Sequence, residues 1–368
     1  MDASRVAPAV VAAFVTLGAP AWIALQAPRL AELEPGRDSA TAAAPLRAPA
    51  TLAETGLYSD VANLTVRPDA HEFAPQYPLW TDGAAKRRWI WLPPGESIDA
   101  SDPDAWRFPV GAKLWKEFAF ERRVETRYME LGGDGQWLYA TYVWSPDESQ
   151  ATLAPEYGLR NAYLFEGGAR HDIPGRMDCL ACHAASATPV LGFSGLQLSG
   201  DRDPLAPHAQ APSPELIDLD DLISRGLVSN LPDTLAARLP RISARTPQER
   251  AALGYLHGNC GGCHNSSGPL AQLGLDLAYS LEHGSRVART AIDAPARYRS
   301  PSTAELRIAS GAPHESLLVQ RMSTRSPLLA MPAVGSALVD EQALELLREW
   351  IAVDLAPTAV AAQHSQRR

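Results

Sequence analysis

Residues 178–183 read DCLACH and residues 259–264 read NCGGCH, and these two stretches hold every cysteine in the chain. In each, cysteines stand at i and i+3 and a histidine follows at i+4. One helical turn would carry all three groups on one side of the backbone. This is the pattern that fixes a c-type haem, with thioether bonds from the two cysteines to the vinyl groups and the imidazole on the iron. The expected attachment sites are Cys179, Cys182 and His183 for one haem and Cys260, Cys263 and His264 for the other, so the cofactors expected are two covalently bound haem c.

Two other chemistries use paired cysteines. A zinc site built from two C-x-x-C knuckles usually separates them by roughly 15 to 20 residues, against roughly 77 here, and needs no histidine after each pair. A redox disulfide of the thioredoxin kind sits in a βαβ unit, which this sequence lacks around either motif.

The far side of each iron reads differently. For the second haem, LLAMPAVGSALVD places Met331 before a proline, which biases it toward an extended loop conformation from which its thioether reaches an iron. His/Met ligation raises the reduction potential. Met322 is the alternative, and its place in the helical pattern ESLLVQRM gives it an apolar packing role. The iron ligands expected are therefore His183, His264 and Met331. For the first haem, Met129, His71, His171, His208 and His257 are candidates by residue type, and the residues do not choose among them.

Around the motifs the pattern divides. From 51 to about 165 it is β-rich. Val124–Leu131 and Gln136–Trp144 predict a hairpin about a Gly-Asp-Gly turn, with further strands after Gly111 and in KRRWIWLPPG. The tryptophans 89, 91, 115, 137 and 144 read as core, and the aromatic-rich sheet is expected to wall the first porphyrin. Residues 194–245 mix short helical patterns with proline-rich turns. Later, Thr246, Pro247 and Glu249 open a helix with a capping box that delivers Cys260 from its end, and Asp340 caps a second helix that runs until Pro357.

The fold class expected is α+β and multidomain. Residues 1–28 read as a signal peptide or signal anchor, 29–50 as an Ala/Pro-rich linker, 51–245 as a β-rich domain carrying the first motif, 246–356 as an all-α, class I-like cytochrome c domain, and 357–368 as a tail. In the first segment one basic residue, Arg5, precedes an uncharged stretch from Val6 to Pro28. Ala19–Ala21 offers a cleavage site, and about 23 uncharged residues also suffice for a single uncleaved span. With 33 basic and 42 acidic residues the net charge is −9, and no basic run is long enough to follow a phosphate backbone, so nucleic acid is not an expected partner.

The stretches YLHGNCGGCHNSSGP, GAPHESLLVQRM and MPAVGSALVDEQALELLREWI resemble a small His/Met cytochrome c domain found fused to many bacterial periplasmic proteins. Upstream, QYPLWTDGAAKRRWIWLPPG, RRVETRYME, WLYATYVW and CLACHAASATPVLGFSGLQLS are similar to a family of periplasmic di-haem c-type cytochromes. The resemblance spans about Leu52 to Ile351. It implies periplasmic electron transfer, with residues 179, 182 and 183 on one haem and 260, 263, 264 and 331 on the other. It also implies a redox partner protein, such as a dehydrogenase or a neighbouring exported β-helix protein, with membrane contact only through an N-terminal anchor. Haem attachment outside the cytoplasm agrees with the export segment. Electron transfer is the function expected. A haem enzyme of peroxidase or oxidase type with an open first iron, and a binding module whose haems serve a partner dehydrogenase, are the alternatives.

Overall fold

Six antiparallel strands in chain order form the organising sheet of the computed structural model, which describes residues 45–184, 186, 188–297 and 304–357. They are β1 (His71–Glu72), β2 (Ala85–Trp91), β3 (Lys113–Ala119), β4 (Arg123–Leu131), β5 (Trp137–Trp144) and β6 (Ala151–Leu153). The predicted hairpin is β4–β5. Its turn closes through Gly132, whose N–H donates to Gln136 O at 2.8 Å, and Asp134, whose carboxylate accepts from Gln136 N at 3.0 Å.

Period-two alternation separates the faces of this sheet. One carries Trp89, Trp115, Tyr128, Tyr142 and Trp144, all buried against Leu52 and Leu57. The tryptophans expected as core divide accordingly, with 89, 115 and 144 buried and 91 and 137 half-buried. The other face is apolar at one end, where Ile90 and Leu114 pack with Phe73, Trp106 and Phe193, and charged at the other.

A second hairpin, β7 (Leu159–Leu164) and β8 (Arg170–Ile173), leads directly into α1 (Arg176–His183). Residues 194–245 hold short helices and a two-residue strand, Val228–Ser229, paired with Ile98–Asp99, and Leu219 and Leu222 of one helix fill the apolar end of the sheet. Helix α2 (Pro247–Asn259) starts at Thr246, whose hydroxyl accepts from Glu249 N at 3.0 Å. Only half of the predicted capping box forms, because the Glu249 carboxylate turns to the N–H and guanidinium of Arg245. Helices α3 (Leu317–Met322) and α4 (Glu341–Glu349) follow, the last continuing as a π turn through Asp354.

The expected fold class is corrected here. Among the described residues the six-stranded sheet is the largest element, the helices are short and make up 21%, and no all-α cytochrome domain is evident at the C-terminal end. Between α2 and α3 the chain makes a two-stranded hairpin (Tyr279–Ser280 with Gly284–Ser285), isolated bridges such as Ile292 with Ile308, and one-turn helices. The helical ends were readable from caps and apolar spacing. The Gly-, Pro- and Ser-rich stretch between them supports no amphipathic helix. Nor does α2 pack as an isolated module: Tyr77, Leu196, Ala206 and Ile242 share one apolar cluster with α2 and α4. All described residues fall in one compact unit.

The export segment, residues 29–44 of the Ala/Pro-rich linker and the tail beyond Pro357 lie outside the described residues. Among the described residues no helix is long and apolar enough to cross a membrane.

Candidate functional site

Helix α1 buries none of its residues fully, yet its position is fixed at both ends. Gly175 N–H donates to the Asp178 carboxylate at 3.0 Å and Arg176 N–H to Glu156 O at 2.9 Å. At the far end His183 Nδ1 lies 2.6 Å from Pro189 O. A carbonyl only accepts, so Nδ1 carries the proton and Nε2 is left with its lone pair. Burial, with the charges of Lys116 and Arg127, pushes this imidazole down to about 4, so it is neutral at ordinary pH. A neutral ring with one nitrogen tethered and the other free is the form in which histidine ligates a metal.

The second motif is held by close backbone approach. Tyr77, only 2% exposed, lies across α2. A β-carbon on Gly254 would lie 2.0 Å from Tyr77 Cε1, and one on Gly258 would lie 2.3 Å from Tyr77 O. Asn259 continues the clamp, accepting from Trp80 N at 2.7 Å and donating to Pro78 O at 3.1 Å. His264 Nδ1 is buried without a hydrogen-bond partner, and burial with Arg321 and Arg307 lowers its basicity. Met331 is half-buried on a loop anchored to the same arginine: its N–H donates to Arg321 O at 3.0 Å, and its own carbonyl accepts from Arg325 at 2.9 Å. Met322 is instead in the core, 5% exposed.

The fold brings the two motifs together. The Cys182 and Cys263 thiols are close enough to act on one another, which holds Cys263 down to about 7 and pushes Cys182 well up. Leu191, eight residues past His183, lies against Gly262 between the second pair of cysteines. Burial raises Cys260 to about 12 and also raises Cys179. All four thiols are free and half-buried. Distance in sequence therefore does not by itself exclude a shared zinc ion. The geometry argues against one, because the pairs meet only through their second cysteines. Among the described residues no three His, Cys, Asp or Glu groups converge to hold a metal.

Facing α1 is the charged end of the sheet. Arg88, Lys116 and Arg127 stand directly opposite one another on β2, β3 and β4, and Tyr139 of β5 contacts the His183 ring with centroids 5.2 Å apart. Arg127 makes a two-point bond to Glu125, at 2.7 and 3.2 Å. Glu125 is also 3.3 Å from His171 Nε2, and Asp82 is 3.1 Å from His171 Nδ1. The second Asp82 oxygen accepts from Ala337 N and Leu338 N at 2.7 and 2.9 Å. A buried chain of charged groups thus joins the sheet facing α1 to the segment just after Met331.

The five candidates for the far side of the first iron are placed as follows. Both ring nitrogens of His171 are engaged. His208 Nε2 is 2.9 Å from Asp340, and His257 Nδ1 accepts from Tyr279 N at 3.0 Å. His71 lies in the same cross-strand row as Tyr139 but four strands away, roughly 19 Å at the usual strand spacing. Met129 is the neighbour of Tyr139 on that face, packed among apolar residues. The sheet expected to wall the first porphyrin does face α1, through Tyr139 and a cationic surface, whereas its face bearing Trp89, Trp115 and Trp144 turns the other way. Sequence reasoning missed this surface. Its signal was the alternation of Lys86 and Arg88 with Trp89 and Trp91, and of Lys116 with Trp115, which assigns cations and indoles to opposite faces.

Compared with protein-family models, curated proteins and solved structures, the chain gives no significant match.

Proposed function

We propose that the chain is a periplasmic di-haem c-type cytochrome that passes electrons between a partner redox protein and a downstream carrier. The observation that carries this reading is His183. It closes a helix bearing Cys179 and Cys182, donates Nδ1–H to Pro189 O at 2.6 Å and keeps Nε2 free, as an axial imidazole requires. When bound, each haem supplies a one-electron ferric/ferrous couple.

The residues of the chain supply attachment and environment. Cys179 and Cys182 anchor one group on α1, and Cys260 and Cys263 anchor the other at the end of α2. His183 and His264 would each supply an imidazole to the iron of the group attached beside it. The buried, unpartnered Nδ1 of His264 marks a ring whose nitrogens are not consumed by protein contacts. Met331, on a loop tied to Arg321, would supply a thioether to the second iron. No bond-making residue is needed. The Cys182–Cys263 contact would bring the two attachment edges together and give a short path between the couples.

A second reading has one observation in its favour. Of the four candidate histidines for the first iron, His171 has both ring nitrogens engaged, by Asp82 and Glu125, and His71 lies four strands from Tyr139, which suits an enzyme whose first iron keeps an open position. A redox titration with optical and paramagnetic-resonance spectra at each step tests both. Two low-spin signals are expected for the relay. A high-spin signal that shifts on adding cyanide would replace the relay with the enzyme.

A further inference from the structure

The cation row facing α1 is costly as it stands. Like charges placed directly opposite on neighbouring strands destabilise a sheet, and here three cations occupy one row: Arg88 opposite Lys116, and Lys116 opposite Arg127. Lys86, two residues before Arg88, adds a fourth on the same face. Arg127 has Glu125 as its counter-ion. Among the described residues the side chains of Lys86, Arg88 and Lys116 have no carboxylate partner and no hydrogen bond. Lys116 and Arg127 share only the ring of Phe118, at 4.9 and 4.3 Å. Arg88 is 7% exposed, and holding a guanidinium away from water without a counter-ion is unfavourable. All this occurs in a chain whose net charge is −9.

Crossing two strand spacings, the row is roughly 10 Å long, room for two carboxylates side by side. The charges of Arg127 and Lys116 act on Cys182, and those of the same two residues act on His183, so the row lies over the first motif rather than at a remote edge.

We propose that Arg88, Lys116 and Arg127, with Lys86, form a binding site for a carboxylate-bearing anion beside the first Cys-Cys-His motif. Two sources offer that chemistry: the two carboxylates of a haem held by α1, and a small soluble dicarboxylate entering beside it. The first rests on the proposed function; the site itself does not.

The test uses the full chain after its mass has shown whether haem is attached, with Arg88→Gln and Lys116→Gln made separately. Lys116 is half-buried, so its variant keeps the test usable if Arg88→Gln fails to fold. If haem carboxylates occupy the row, both variants retain their haems, the first haem's potential falls and its propionate vibrations shift in the resonance Raman spectrum, while succinate does not bind the parent protein. If a soluble anion occupies it, calorimetry shows succinate binding that weakens at least tenfold in each variant. The proposal is overturned if potential, vibrations and succinate binding are the same in parent and variants, or if the variants differ only by a higher melting temperature, the signature of relieved repulsion. Should the chain carry no haem, the proposed function fails separately. The succinate arm then decides the site on the haem-free chain, where loss of binding in the variants supports it and absence of binding in the parent overturns it.

Discussion

Cys182, near the end of α1, and Cys263, just past the end of α2, lie close enough for their thiols to perturb one another. If each sulfur carries a thioether, the two porphyrins meet at their attachment edges. The oxidised protein should then show an exciton-split circular dichroism couplet in the Soret region and paramagnetic-resonance signals broadened by the neighbouring iron. In a Cys263→Ala/Cys260→Ala variant the remaining haem should give a single, unsplit band. Unsplit, additive spectra in the parent would mean that the haems sit apart.

The same contact makes a prediction for haem-free chain. Thiols this close, one of them held down to about 7, are poised for oxidation by a disulfide-forming catalyst. Chain produced without haem attachment should lose two hydrogens and yield a Cys182–Cys263 cross-linked peptide on digestion. Recovery of pairs only within each motif would contradict the observed neighbourhood.

The clamp of Tyr77 on α2 is steric, so Gly258→Ala should be more damaging than its helix propensity suggests. An isolated helical position gains about 1 kcal/mol from that change. Here the new β-carbon would meet a backbone carbonyl at 2.3 Å, which cannot swing away. A net loss of about 1–3 kcal/mol is expected, the usual cost of overpacking. Denaturant unfolding measures it, and a stabilised variant would show that the helix slides freely past Tyr77.

His171 gives the stability a pH dependence of known sign. Burial would push this imidazole down, but Asp82 and Glu125 outweigh it and raise it to about 9, from an ordinary value of 6.5. The protonated ring thus contributes on the order of 3 kcal/mol. That contribution is fully present below about pH 6.5 and is lost as pH rises through about 9. The stability gap between the parent and His171→Gln should shrink over that window. A gap that is flat or widens would show that His171 is neutral in the fold.

Met331 and Met322 separate cleanly. Met331→Ala should leave the haem attached but remove the weak far-red sulfur-to-iron band and lower that haem's potential. Met322→Ala, in the core, should instead cost about 2–5 kcal/mol of stability with the band intact. The reverse assignment of effects would make Met322 the ligand.

Much of the local structure was legible because it rests on local chemistry. The β4–β5 hairpin followed from alternation about Gly-Asp-Gly, and the start of α2 from Thr246 and Pro247. What failed was long-range. Nothing in the spacing of Gly254 and Gly258 says that Tyr77 fills the groove between them, so α2 read as part of a separate helical domain. The meeting of Cys182 with Cys263 depends on that same packing. The cation row could be read strand by strand but not as a row, because its register is fixed by which strands pair.

The measurement that bears most directly on the central claim is the intact mass, under denaturing conditions, of chain made with a periplasmic haem-attachment system. The expected result is an addition of two haem groups, falling to one in Cys179→Ala/Cys182→Ala and in Cys260→Ala/Cys263→Ala. An unmodified chain, or one whose mass differs only by a disulfide while zinc appears in the native protein, would contradict it.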